Sequence, residues 1–81
     1  MDHSALRELV EFITKAIVDD PGAVSVTLLD GEHGVVIEVR VAPDDVGKVI
    51  GRQGRIARAI RSVVKAAAIR AGTRAMVEIV Q

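Results

Sequence analysis

The chain of 81 residues has no cysteine, no tryptophan and no tyrosine, and Phe12 is its single aromatic residue. Without cysteine, neither a disulfide framework nor a thiolate metal site is available, which fits a reducing compartment. No apolar run reaches the roughly 18 residues of a membrane helix, and Met1-Asp2-His3 does not begin a basic signal peptide, so a soluble cytoplasmic protein is expected. The length suits one domain spanning 1–81. A domain of this size buries only somewhat more than about 60% of its unfolded surface, so a partner subunit would help it.

A further absence is local. The formal net charge is zero, yet from Val46 to Val77 there is no Asp or Glu. That stretch holds Lys48, Arg52, Arg55, Arg58, Arg61, Lys65, Arg70 and Arg74, eight of the 11 Lys and Arg residues. Apart from Glu78, the acids lie in the other half, from Asp2 to Asp45. Such asymmetry predicts one face suited to polyanions, which whole-chain charge conceals.

Catalytic machinery is also missing. His3 and His33 read as solvated residues of a terminus and a hairpin loop, and no Ser-His-Asp arrangement or carboxylate cluster with metal-ligand spacing is recognisable. No enzymatic activity, metal, cofactor or small-molecule substrate is implied.

Hydrophobic spacing predicts the elements. Ser4 to Asp19 carries Ala5, Leu6, Leu9, Val10, Phe12, Ile13, Ala16 and Ile17 on one broad helical side, with Thr14 among the polar residues opposite, and ends at Asp19-Asp20-Pro21-Gly22. This places Phe12 in the core. Val24, Val26 and Leu28, then Val35, Ile37, Val39 and Val41, alternate with period two, which predicts two strands joined by a five-residue hairpin loop, Asp30 to Gly34. Pro43 to Ile50 reads as a short helix with Asp44 and Asp45 at its positive end and Gly51 at its C-terminal cap. A second helix, from Arg55 to Ala71, aligns Ile56, Ile60, Val63, Val64, Ala67 and Ala71 on one face, and Ala75 to Val80 forms a last strand. The order α-β-β-α-α-β predicts an α+β fold, an antiparallel or mixed three-stranded sheet with three helices packed on one face.

The segment KVIGRQGRIARAIR, residues 48–61, joins the two later helices. Gly51-Arg52-Gln53-Gly54 is too short for the phosphate loop of a nucleoside triphosphatase, which needs four residues between its glycines and a following Lys-Ser/Thr. It supplies instead two positions without a Cβ ahead of a helix N-terminus, a seat for a phosphate, with Arg52 and Arg55 placed to meet a nucleic-acid backbone. The plainer reading is a helix stop followed by a close helix start.

Val49-Ile50-Gly51-Arg52-Gln53-Gly54, set between two helices with strands on either side, resembles the signature of a KH domain, and the element order is that of type II. The resemblance covers essentially the whole chain and extends to small bacterial RNA-binding proteins made of a single KH domain. It implies an RNA-binding protein without enzymatic activity, an RNA chaperone or post-transcriptional regulator that forms a homodimer or pairs with a second KH-containing protein. Carried over by position, Gly51, Arg52, Gln53 and Gly54 would hold the sugar-phosphate backbone of single-stranded RNA, flanked by Lys48, Arg55 and Arg58. Val46, Val49 or Ile50, with a strand residue such as Val39 or Val41, would form an apolar floor for bases. The family pattern departs at Ala57, where most KH domains carry a larger aliphatic residue. KH domains grip about four nucleotides through the glycine loop and need no exposed ring, in keeping with the lack of aromatics.

Ala59, Ser62, Ala66 and Ile69 recur at helical spacing outside the core face and, with Val63, mark a candidate helix-to-helix dimer contact. Two other readings compete: a helix-turn-helix that binds duplex DNA, and a KH-like fold used only for protein assembly. Against the first, the leading helix is about two turns long and the hairpin precedes the helix pair.

Overall fold

A computed structural model describes residues 3–81. The elements are α1 (Ser4–Ile17), β1 (Ser25–Gly31), β2 (Gly34–Arg40), α2 (Val46–Ile50), α3 (Arg55–Arg70) and β3 (Ala75–Ile79), with single 3₁₀ turns at Pro21–Ala23, Pro43–Asp45 and Arg52–Gly54. The sheet is mixed, in the order β1-β2-β3: β1 and β2 run antiparallel, β2 and β3 parallel. This is the expected α+β architecture.

Alternation along the strands decides which sheet face is covered. Val26, Val35, Ile37, Val39 and Val77 are buried with Leu6 and Val10 of α1, Val49 of α2, and Ile60, Val64 and Ala68 of α3. Full burial of a side chain such as Ile37 is worth about 1.5–3 kcal/mol, so this single cluster supplies most of the driving force.

Several expectations change in detail. Phe12 is 74% exposed instead of buried. The buried stripe of α1 is Leu6, Val10 and Thr14, and a residue two places from Val10 points about 200° away from it. Thr14, expected on the polar side, lies in the core because its hydroxyl donates to the Val10 carbonyl at 2.7 Å, which satisfies it without water. On α3 the buried residues are Ala57, Ile60, Val64 and Ala68, while Val63 is 48% exposed. The true face is rotated by roughly 50° from the one drawn through the large aliphatics. Ala57 and Ala68 join Ile60 and Val64 on the buried face, and Ile56 and Val63 stand at its flank.

The hairpin is also tighter than the expected five-residue loop. Asp30 pairs with Val35 and Gly31 with Gly34, leaving Glu32 and His33 as the turn. His33 is exposed as expected, whereas His3 is half-buried. Its carbonyl accepts the N–H groups of Leu6 and Arg7, and its Nδ1 is shielded from solvent.

The expected helix from Pro43 to Ile50 divides into a 3₁₀ turn and the five residues of α2. Asp45 stands at the start of α2 as expected, and it is buried there at 2% exposure. Its carboxylate accepts the backbone N–H groups of Asp19 and Asp20 at 3.3 and 3.0 Å. The link between α1 and β1 is thereby tied to the start of α2, which leads straight into the glycine loop.

Candidate nucleic-acid interface

The GRQG loop is built by backbone geometry. Gly51 ends α2 with φ 76° and donates its N–H to the Gly47 carbonyl at 2.9 Å, and the Gly54 N–H returns to the Gly51 carbonyl at 3.1 Å. Gln53 (φ 57°) and Gly54 (φ 73°) are both left-handed, and Gln53 is the one non-glycine residue with positive φ among those described. That conformation costs a side-chain-bearing residue about 1–2 kcal/mol, an outlier of the kind that gathers at binding sites.

The two glycines have different jobs. A Cβ on Gly51 would lie 2.7 Å from Cγ1 of Ile56, so this position is filled by the packing of α3 against the turn. A Cβ on Gly54 would meet only Nη1 of Arg58, at 3.4 Å. Gly54 therefore faces open space beside a guanidinium, and among the described residues no side chain caps the N-terminus of α3. An oxyanion approaching here would find helix-end N–H groups and several cations together.

Arg52, Gln53, Arg55 and Arg58 are all exposed, and among the described residues none of these three arginines pairs with an acid. Lys48 differs: its Nζ lies 3.2 Å from Asp19 Oδ2, both side chains being largely exposed. Such a surface pair is worth about 0–1 kcal/mol and yields readily to a phosphate.

The apolar floor is corrected in part. Val39 and Val49 are each 1% exposed, so their side chains belong to the core and offer no surface. Val39 was a sound strand candidate by periodicity, but alternation turns it toward the helices. Val46 and Ile50 are half-buried and remain accessible. Val46 lines a hollow of about 380 Å³ with Val41, Pro43, Val80, Arg40 and Gln81. Ala57, the departure from the family pattern, is a core contact at 4% exposure, and Ile56 beside it covers Gly51.

Sequence reasoning missed a second part of the surface. Between α3 and β3, reaching the hairpin, lies an open cavity of about 780 Å³ bordered by Arg61, Lys65, Ile69, Arg74 and Met76. Arg61 Nε donates to the Val77 carbonyl of β3 at 3.3 Å. Residues 58, 61 and 65 share one flank of α3, so a basic strip runs from the glycine loop toward this cavity. Their place in the acid-free stretch was the available signal.

Ala59, Ser62, Val63, Ala66 and Ile69 are all exposed. Ala59, Ser62, Ala66 and Ile69 fall within about 80° of one another on α3, and Val63 stands at one side of them. Ile69 borders the cavity by β3, and Val63 lies about 120° round the helix from it.

Comparison with known proteins agrees with the geometry. The family model described as KhpA/KhpB, KH domain matches residues 7–79. The RNA-binding protein KhpA of Caldanaerobacter subterraneus subsp. tengcongensis is 56% identical over 75 residues, covering 93% of this chain and all of the relative. The protein of the same name from Clostridium perfringens is 53% identical over 75 residues, covering 93% and 100%. That from Aquifex aeolicus is 49% identical over 78 residues, covering 96% and 99%. With the family model matched over residues 7–79, a type II element order and relatives aligned nearly end to end, the chain belongs to the KhpA/KhpB family of KH domains.

Proposed function

We propose that this protein is a cytoplasmic, non-enzymatic RNA-binding protein that holds short single-stranded RNA segments through the GRQG loop, serving as an RNA chaperone or post-transcriptional regulator. The observation that carries the reading is the open side of Gly54, with Arg52, Arg55 and Arg58 around it and, among the described residues, no acid paired to them. Gly51, Arg52, Gln53 and Gly54 hold the sugar-phosphate backbone. Arg55, Arg58 and, once released from Asp19, Lys48 add charge. Val46 and Ile50 supply apolar surface, and bases extend along the flank of α3 toward Arg61 and Lys65. The names of the KhpA relatives support RNA as the ligand.

A labelled single-stranded RNA of about four to eight nucleotides tests this reading, since a KH domain grips about four. Unlabelled single-stranded RNA displaces the probe and duplex DNA does not. Efficient displacement by duplex DNA would favour the helix-turn-helix reading instead.

So small a footprint binds weakly, and linking two sites adds avidity on the order of 10² to 10⁴ when geometry permits. We propose that Ala59, Ser62, Val63 and Ala66 of α3 form a contact with a second copy or with another KH-containing protein; Val63, 48% exposed between small residues, motivates this. If the parent is dimeric in light scattering, Ala66→Glu yields the monomer mass, and an unchanged mass removes this contact from the account.

A further inference from the structure

The sheet has two end strands, and they are treated differently. β3 is five residues long, its Val77 carbonyl is occupied by Arg61, and Arg61, Lys65 and Arg74 stand beside it. Cations of this kind guard a strand edge against further pairing. β1 is seven residues long and pairs with β2 in unbroken register from Ser25 to Gly31, with no bulge and no proline. Among the described residues, no backbone hydrogen bond reaches β1 from any element except β2. Of the usual protections of an edge strand, proline, bulges, lysine and a covering backbone are missing among the described residues, and the one charge on β1 is Asp30 near its end.

The surroundings of β1 carry one sign of charge. From Ala16 to Val39 the chain has Asp19, Asp20, Asp30, Glu32 and Glu38 and no lysine or arginine. Asp19 and Glu38 meet Lys48 and Arg40, while Asp20, Asp30 and Glu32 have no ion-pair partner among the described residues. On the uncovered face of the sheet, Leu29 of β1, Val36 of β2 and Met76 of β3 are direct register partners, giving an apolar row across all three strands. Leu29 is 44% and Met76 61% exposed. The row stops at β1 with nothing beside Leu29.

From these features we infer that the outer edge of β1 accepts an extended, cationic segment of a partner protein, which adds a fourth strand. Main-chain hydrogen bonds to β1 provide attachment, as in other cases of strand addition. An apolar side chain of the incoming segment continues the Leu29-Val36-Met76 row, and a lysine or arginine side chain meets Asp30 of β1. The acids repel RNA from this edge, which lies at the opposite end of the sheet from β3, so the inference does not depend on the RNA reading.

The test uses the full chain, isotope-labelled, and a seven-residue peptide alternating lysine and valine, matched to the length of β1. The expected result is that amides of Ser25–Gly31 shift and gain exchange protection, and that a peptide alternating glutamate and valine does not bind. Lysine at the exposed positions Thr27 and Leu29, as T27K/L29K, weakens peptide binding by about tenfold and leaves RNA binding unchanged. Thr27→Lys alone serves if the double variant fails to fold. Shifts confined to α3 or the GRQG loop, equal binding of the glutamate peptide, or undiminished binding by the variants would overturn the inference. So would concentration-dependent protection of β1 in the free chain, which would assign the edge to a second copy.

Discussion

Gly51 and Ile56 meet so closely that a methyl group on Gly51 would stand 2.7 Å from Cγ1 of Ile56. The glycine loop is therefore held shut on one side by α3 and open on the other, at Gly54. Gly51→Ala combines an unfavourable positive φ with overpacking and is expected to cost roughly 2–4 kcal/mol in urea unfolding. Gly54→Ala meets no such obstacle and is expected to cost roughly 1 kcal/mol, from φ alone, while weakening RNA binding measured on the folded protein. Equal stability losses in the two variants would contradict this division.

Asp45 joins two distant parts of the chain through backbone N–H groups of Asp19 and Asp20. Asp45→Ala leaves these donors without a protein acceptor, and a loss of about 1–3 kcal/mol is expected in denaturant unfolding. Amide exchange at Asp19 and Asp20 should accelerate together. No change at either amide would show that the link is unimportant.

The solitary aromatic is not a core residue. Phe12→Ala is expected to change stability by no more than about 0.5 kcal/mol, as exposed positions usually do. Val10→Ala, two residues earlier and fully buried, should cost about 2 kcal/mol or more. Thermal unfolding of the pair reads the contrast.

Periodicity revealed the fold more faithfully than it revealed which side chains are covered. Val35, Ile37 and Val39 alternate so strictly that β2 and its buried face were legible at once. The helices were harder, because a hydrophobic stripe records apolar character and not distance of approach. Ala57 and Ala68 are buried although they are small, and Phe12 and Val63 fall outside the buried face despite being large. The burial of Thr14 and of Asp45 was hidden for another reason: each satisfies backbone groups whose position depends on chain geometry. At the candidate interface, Gly51, Arg52, Gln53 and Gly54 were legible as a motif. Arg61 and Lys65 were visible only as charge until α3 was set against β3.

If about three or four phosphates are neutralised, log affinity should fall against log salt with a slope of roughly −2 to −3, at about −0.7 per contact for single strands. Removing one phosphate-binding cation, as in Arg55→Gln, should reduce the slope by about 0.7. Titrations at several salt concentrations check both values, and a slope near zero would contradict backbone recognition.

The most direct measurement compares RNA crosslinking of the parent with that of the variant R52D/Q53D. Both side chains are exposed, and aspartate tolerates the left-handed backbone at position 53, so the fold should persist by circular dichroism. The account predicts that crosslinking of single-stranded RNA is lost, because two carboxylates now face the phosphate path beside Gly54. Crosslinking retained at parental levels in the folded variant would contradict the claim that the GRQG loop holds the RNA.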